Sequence, residues 1–167
     1  SRVTVRGEQG AVIDAGGRGS GFIVRVPKVR IENLTVRNYG GDLYARDAGV
    51  MVGDGADGTE LVNLTLQGPG FGVRADRMNA LVVEGCTIEG DADRHVLDRG
   101  DGIFLSYVKN ARLNHNSLRN VRDGYYLENV DAAKAAVEAI KDIKPILNGA
   151  NKDTYADMNA IATAAGI

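Results

Sequence analysis

Up to about residue 128 the chain alternates apolar runs of three or four residues with glycine or polar turns. Each run is too short for a helix and the right length for a strand. The stretch Gly102 to Glu128, GIFLSYVKNARLNHNSLRNVRDGYYLE, holds one full period of this pattern and the start of the next. A glycine opening an apolar triplet falls at Gly21, Gly49, Gly72, Gly102 and Gly124, at spacings of 28, 23, 30 and 22 residues. A second phrase begins at Ile31, Leu61, Val83 and Leu113 and aligns without gaps over eight positions, at spacings of 30, 22 and 30. Four columns follow: Ile31/Leu61/Val83/Leu113, Leu34/Leu64/Cys86/Asn116, Thr35/Thr65/Thr87/Ser117 and Val36/Leu66/Ile88/Leu118. A unit this short cannot bury its own apolar face, but stacked neighbours can, so the pattern predicts an all-β parallel solenoid.

The earlier runs Val3–Val5, Ala11–Ile13 and Phe22–Val24 read as strands of a first coil. The glycine-rich GGRGSG between them lacks the Lys-Ser/Thr ending of a phosphate loop and precedes no helical pattern, so it reads as turns. Asn33 and Asn63 share a column with Gly85 and His115 between two strands. That place assigns the asparagines to corner hydrogen bonds, although Asn-Leu-Thr also matches a glycan acceptor. Short connections follow Gly68 and Asn120, whereas long ones run from Tyr39 to Ala48 and from Asp91 to Asp101. With coils about 4.8 Å apart, the two long loops leave one corner about 10 Å from each other and form a single patch.

From residue 130 the character changes: every arginine lies at or before Arg122, and the alanine-rich remainder carries lysines and no repeat. The expected division is a β-solenoid over 1–129 and an α-helical tail over 130–167, either a cap on the last coil or a fused foreign segment. Asp131 is placed as a helix N-cap, with a second helix from Asp153 or Thr154. The net charge of -2 argues against a nucleic-acid footprint. No apolar run has the length of a membrane span, and the single Cys86 allows no internal disulfide. The start at Ser1, in mid-pattern and without a signal peptide, reads as a mature or trimmed form.

The segment from Gly10 to Glu128, with GAVIDAGGRGS, IENLTVRN, DAGVMV, RGDGIFLSYVKNAR and NVRDGYYLE, resembles the NosD-type periplasmic proteins. These are right-handed parallel β-helices of the carbohydrate-binding and sugar-hydrolase superfamily. The repeat gives about four to five coils, and the resemblance implies a non-enzymatic accessory or scaffold role in maturing the copper centres of nitrous oxide reductase. It also implies a periplasmic location, copper as the metal, and an ABC transporter and metalloenzyme maturation proteins as partners. The chain departs from the family in its shortness and its tail.

Three kinds of chemistry compete. Copper requires soft or borderline ligands converging on a point, and His95, His115, Met51, Met78, Met158 and Cys86 are scattered; His95, in the second long loop, is the metal candidate. Cys86 reads as a buried thiol and His115 as a corner residue. The superfamily's enzymes suggest instead a carbohydrate-active face, catalytic or polysaccharide-binding. Asp101 and Asp123 share a column one coil apart, with Arg99 and Arg122 close by, and such carboxylates share a proton, bind a cation or form Asx turns. Aromatic platforms for sugars are few: Tyr39, Tyr44, Tyr107, Tyr125 and Tyr126. The third reading is a docking surface made by Asp42, Tyr44, Arg46, Asp47, Asp93, Arg94, His95 and Asp98, whose alternating charge suits a protein partner. Homo-oligomers through the solenoid ends are a further expectation.

Overall fold

A computed structural model describes residues 1–130, and the expected helical tail lies outside the described residues. The first winding contains β1 (Val3–Arg6), β2 (Val12–Asp14) and β3 (Phe22–Val24), and the second β4 (Val29–Glu32), β5 (Thr35–Arg37) and β6 (Ala48–Val52). The third holds β7 (Glu60–Val62), β8 (Thr65–Gln67) and β9 (Phe71–Asn79), and the fourth β10 (Val82–Glu84), β11 (Thr87–Glu89) and β12 (Ile103–Lys109). β13 (Arg112–Asn114), β14 (Ser117–Arg119) and β15 (Tyr125–Glu128) begin the next. Each strand pairs in parallel with its counterpart one coil on, so three five-stranded sheets form the sides of a solenoid of about four turns. Among the described residues no helix is long and apolar enough to cross a membrane.

The columns read from the sequence are the registers of the sheets. Ile31, Leu61, Val83 and Leu113 are successive partners and all are buried, as are Val36, Leu66 and Ile88 in the second sheet. The third sheet turns Val50, Val73 and Ile103 inward with Val52, Ala75 and Leu105, which closes one continuous core. In the last winding Asn116 replaces the buried Leu34/Leu64/Cys86 series. Its amide accepts from the Cys86 N–H at 3.0 Å and donates to the Val83 carbonyl at 2.9 Å.

Corners depend on positive φ. Asn33, Asn63, Gly85 and His115 stand at φ 58, 52, 63 and 53°, and the Asn63 amide donates to Oδ1 of Asn33 at 3.3 Å. Asparagine tolerates this backbone because its short side chain bonds locally, which is why the sequon-like pairs occupy the corner. The glycines entering the third sheet have a different cause. A Cβ at Gly49 would lie 2.8 Å from the Gly72 carbonyl oxygen, and one at Gly102 2.7 Å from that of Gly124. Close approach between coils, not turn conformation, demands glycine there.

Candidate functional site

The long loops arise because the second sheet ends at Arg37 and at Glu89 while the third sheet resumes only at Ala48 and Ile103. Each loop is held by its own polar groups. In the first, Oδ1 of Asp42 accepts from the N–H groups of Tyr44 at 2.9 Å and Ala45 at 3.0 Å. The Asp47 N–H donates to the Asp42 carbonyl at 3.0 Å, and the Asp47 carboxylate accepts from the Asp42 N–H at 3.2 Å. In the second, Oδ1 of Asp91 accepts from the Asp93 N–H, and the Arg99 guanidinium donates to the carbonyls of Ala92 and Arg94 at 2.8–2.9 Å. Arg99 therefore closes its loop and does not face Asp101.

The two loops meet. The Arg94 guanidinium, 3.5 Å from Asp91, reaches the Gly41 carbonyl of the first loop at 3.4 Å. Tyr44 stands fully exposed at 101%, and Val96 and Leu97, on a short 3-10 turn (Val96–Asp98), are exposed at 44 and 67%. The joined loops thus carry three exposed large apolar side chains among their mixed charges. Tyr39, counted among the surface aromatics, is instead buried core; its ring fills the space a Gly68 side chain would take.

His95 is exposed and its Nδ1 accepts from the Leu97 N–H at 3.3 Å. His115 sits at its corner, Met78 is buried, Met51 packs against Phe71 and Phe104, and Cys86 is buried with its thiol pushed up to about 11 by desolvation. These donors do not converge, and among the described residues no group of three or more His, Cys, Asp or Glu is placed to hold a metal ion. Among the described residues these donors assemble no copper centre, and Met158 lies outside the described residues.

Asp101 is wholly buried and Arg122 grips it with two bonds of 2.9 Å, while the Asp123 N–H donates to it at 3.3 Å. Burial raises the Asp101 carboxyl above the usual carboxylate range, against the pull of Arg122. The Asp123 carboxylate lies 3.8 Å from the same guanidinium, with its side chain about half exposed. Arginine thus stands between the two carboxylates that the sequence brings into one column. This arrangement orders the turn into β15.

Sequence reasoning missed a cluster on the outer face of the third sheet. The outward row Ile23, Met51, Arg74, Phe104 and Tyr126 runs across all five strands. Phe104 lies edge-on to Phe71 at 5.5 Å and stacks on Tyr126 at 4.8 Å with 3° between planes, and the Arg74 guanidinium sits 4.0 Å from the Phe104 centroid. Arg74 also grips Asp76 at 3.0 and 3.3 Å, and Arg46 of the first loop approaches Asp76 at 3.6 Å while Leu43 packs over Phe71. The signal lay in FGVRADRMN, where Arg74 and Asp76 both take outward positions of a strand.

No known family profile matches the sequence. Two curated relatives do, each called a probable ABC transporter binding protein NosD. One, from Stutzerimonas stutzeri, is 42% identical over 120 residues, and one from Pseudomonas aeruginosa is 38% identical over 120. Either alignment covers 72% of this chain and 28% of the relative, so the chain spans well under a third of the proteins it matches. Over those 120 residues the chain is homologous to part of the NosD proteins, and its parallel β-solenoid accords with the β-helix that the resemblance implied.

Proposed function

We propose that the chain is a non-enzymatic accessory protein of the nos system whose paired long loops dock a partner protein. The NosD-named relatives support an accessory role, and their names point to an ABC transporter as partner. In this reading it works in the periplasm, beside the transporter and the factors that mature the copper centres of nitrous oxide reductase, and presents a surface rather than holding the metal. The observation that carries it is the contact of Arg94 with Gly41, which joins two loops from different coils into one crest bearing Tyr44 and Leu97. The carbohydrate-active alternative is weaker because Arg122 occupies Asp101 from both oxygens.

The test measures binding of the purified nos-system ABC transporter to the chain and to a Tyr44→Ala/Leu97→Ser variant. Exposed anchors at an interface centre contribute enough that a loss of about tenfold or more is expected. Equal binding by both proteins sinks the docking assignment. Stoichiometric copper binding that disappears in His95→Ala replaces it with a metal site.

A further inference from the structure

The first long loop, residues 39–47, lies across the outward row of the third sheet as a strap. Its ends are fixed: Tyr39 and Ala48 are buried, and the Gly40 N–H donates to the Gly19 carbonyl at 2.9 Å. Its middle is tied down from outside the loop by three contacts among the described residues. Leu43 packs against the Phe71–Phe104 pair, Arg46 stands 3.6 Å from Asp76, and Arg94 donates to the Gly41 carbonyl. Beneath the strap Arg74, Asp76 and Phe104 are only 9, 7 and 9% exposed, although their strand positions point them away from the core.

The third tie is the one that reaches the strap from another coil, and the sequence makes room for it. A Cβ on Gly41 would meet the Arg94 guanidinium first, with Nη1 at 2.5 Å and Cζ and Nη2 at 2.9 Å. Gly41 is not among the positive-φ glycines, so space for the arginine, not backbone freedom, calls for glycine there. Arg94 is mounted firmly, because its own carbonyl accepts from the Arg99 guanidinium at 2.8 and 2.9 Å. Its outer bonds are long, at 3.4 Å to Gly41 and 3.5 Å to Asp91, and its side chain is 39% exposed. A firm base with a weak, accessible head is the make-up of a releasable contact.

We infer that the two long loops form a latched strap, in which Arg94 is the latch and Gly41 its seat, and drawing Arg94 off Gly41 lifts the strap from Arg74 and Phe104. The closed form hides a guanidinium and two aromatic rings that the open form presents. Closure is thus a two-state property of the loop pair, biased from the second loop and read out on the sheet. In the docking role proposed above, a partner that engages Arg94 would also uncover this row; the latch itself does not depend on that reading.

The experiment uses the full chain and NMR. Closure is read from NOEs between the Leu43 methyls and the Phe71 ring, and opening from solvent exchange of the Arg74 Nε–H, which donates to Asp76 at 3.0 Å. Arg94→Ala should weaken those NOEs and speed that exchange about fivefold, as expected for one lost hydrogen bond of ordinary net strength. Gly41→Ala should do the same. The double variant should exchange no faster than either single one, because the added methyl acts only by displacing the guanidinium. Arg119→Ala, which removes a pairing with Glu89 at 2.9 Å on the second sheet, should change neither reading. Unchanged exchange in Arg94→Ala, faster exchange with the NOEs retained, single effects that multiply in the double variant, or an equal response to Arg119→Ala each overturns the inference.

Discussion

Replacing Asp101 by alanine separates a structural carboxylate from a chemical one. The side chain is fully buried and accepts two bonds from Arg122 and one from the Asp123 N–H. Removing one partner of a buried ion pair costs about 3–5 kcal/mol, because the other charge is left without compensation. Here the Arg122 side chain is 30% exposed and can turn toward water, which lowers the expected loss to about 2–3 kcal/mol. For a chain of this size that corresponds to a fall in Tm of roughly 5–10 °C. Asp123→Ala removes a side chain that is 47% exposed and 3.8 Å from the same guanidinium, so its cost should stay within about 0.5 kcal/mol. Urea unfolding followed by far-UV circular dichroism measures both, with the slope checked for two-state behaviour because stacked coils can uncouple. Equal losses from the two alanines, or a loss below about 0.5 kcal/mol for Asp101→Ala, would refute the assignment of Asp101 as the anchor of this turn.

Two further outcomes rest on titrating groups. Burial pushes the Cys86 thiol up to about 11, so at pH 8 a disulfide-exchange reagent should label the native chain only as fast as the solenoid opens, and fully in urea; rapid native labelling would contradict the buried position. Asp101 keeps its proton in the folded chain at pH values where an unfolded aspartate, near 3.8, has lost it. Its contribution to stability therefore falls as pH rises from that value through the raised one, and Asp101→Asn should flatten this part of the stability curve. Glu32, held low first by Arg6 and then Arg30, and Asp14, held low first by the Gly16 N–H, act in the opposite sense. Their contributions are lost as pH falls below the ordinary carboxylate range, in the parent and in the variant alike.

The solenoid was legible because its stabilising contacts repeat at fixed register. Ile31, Leu61, Val83 and Leu113 align in the sequence for the same reason that they touch in space: each coil must match the one below. The corner was legible for a backbone reason, since the column Asn33, Asn63, Gly85 and His115 holds residue types that tolerate a φ near 55°. The meeting of the long loops also followed from spacing, but which residue makes the contact did not. Arg94 and Arg99 are both loop arginines beside acids, and only the fold of the loop decides that Arg99 turns back to its own carbonyls while Arg94 crosses to Gly41. The Asp101/Asp123 column was read correctly in register, yet the direction of each side chain was hidden. The bond from Arg122 draws one carboxylate into the core and leaves the other at the surface.

The outer face of the third sheet was missed for a related physical reason. Periodicity reports which side chains point inward, and it treats outward positions as solvent-facing by default. Arg74, Asp76 and Phe104 point outward and are nonetheless buried, because the first loop folds over them and because cation, ring and carboxylate satisfy one another across coils. In a solenoid an outward row is continuous, so a charge taken from water in one coil can be compensated by the coils on either side. The row therefore behaves as a second, polar spine beside the apolar core. At Tyr126 and Glu128, its last members among the described residues, the ring stacks on Phe104 and the carboxylate accepts from Ser106.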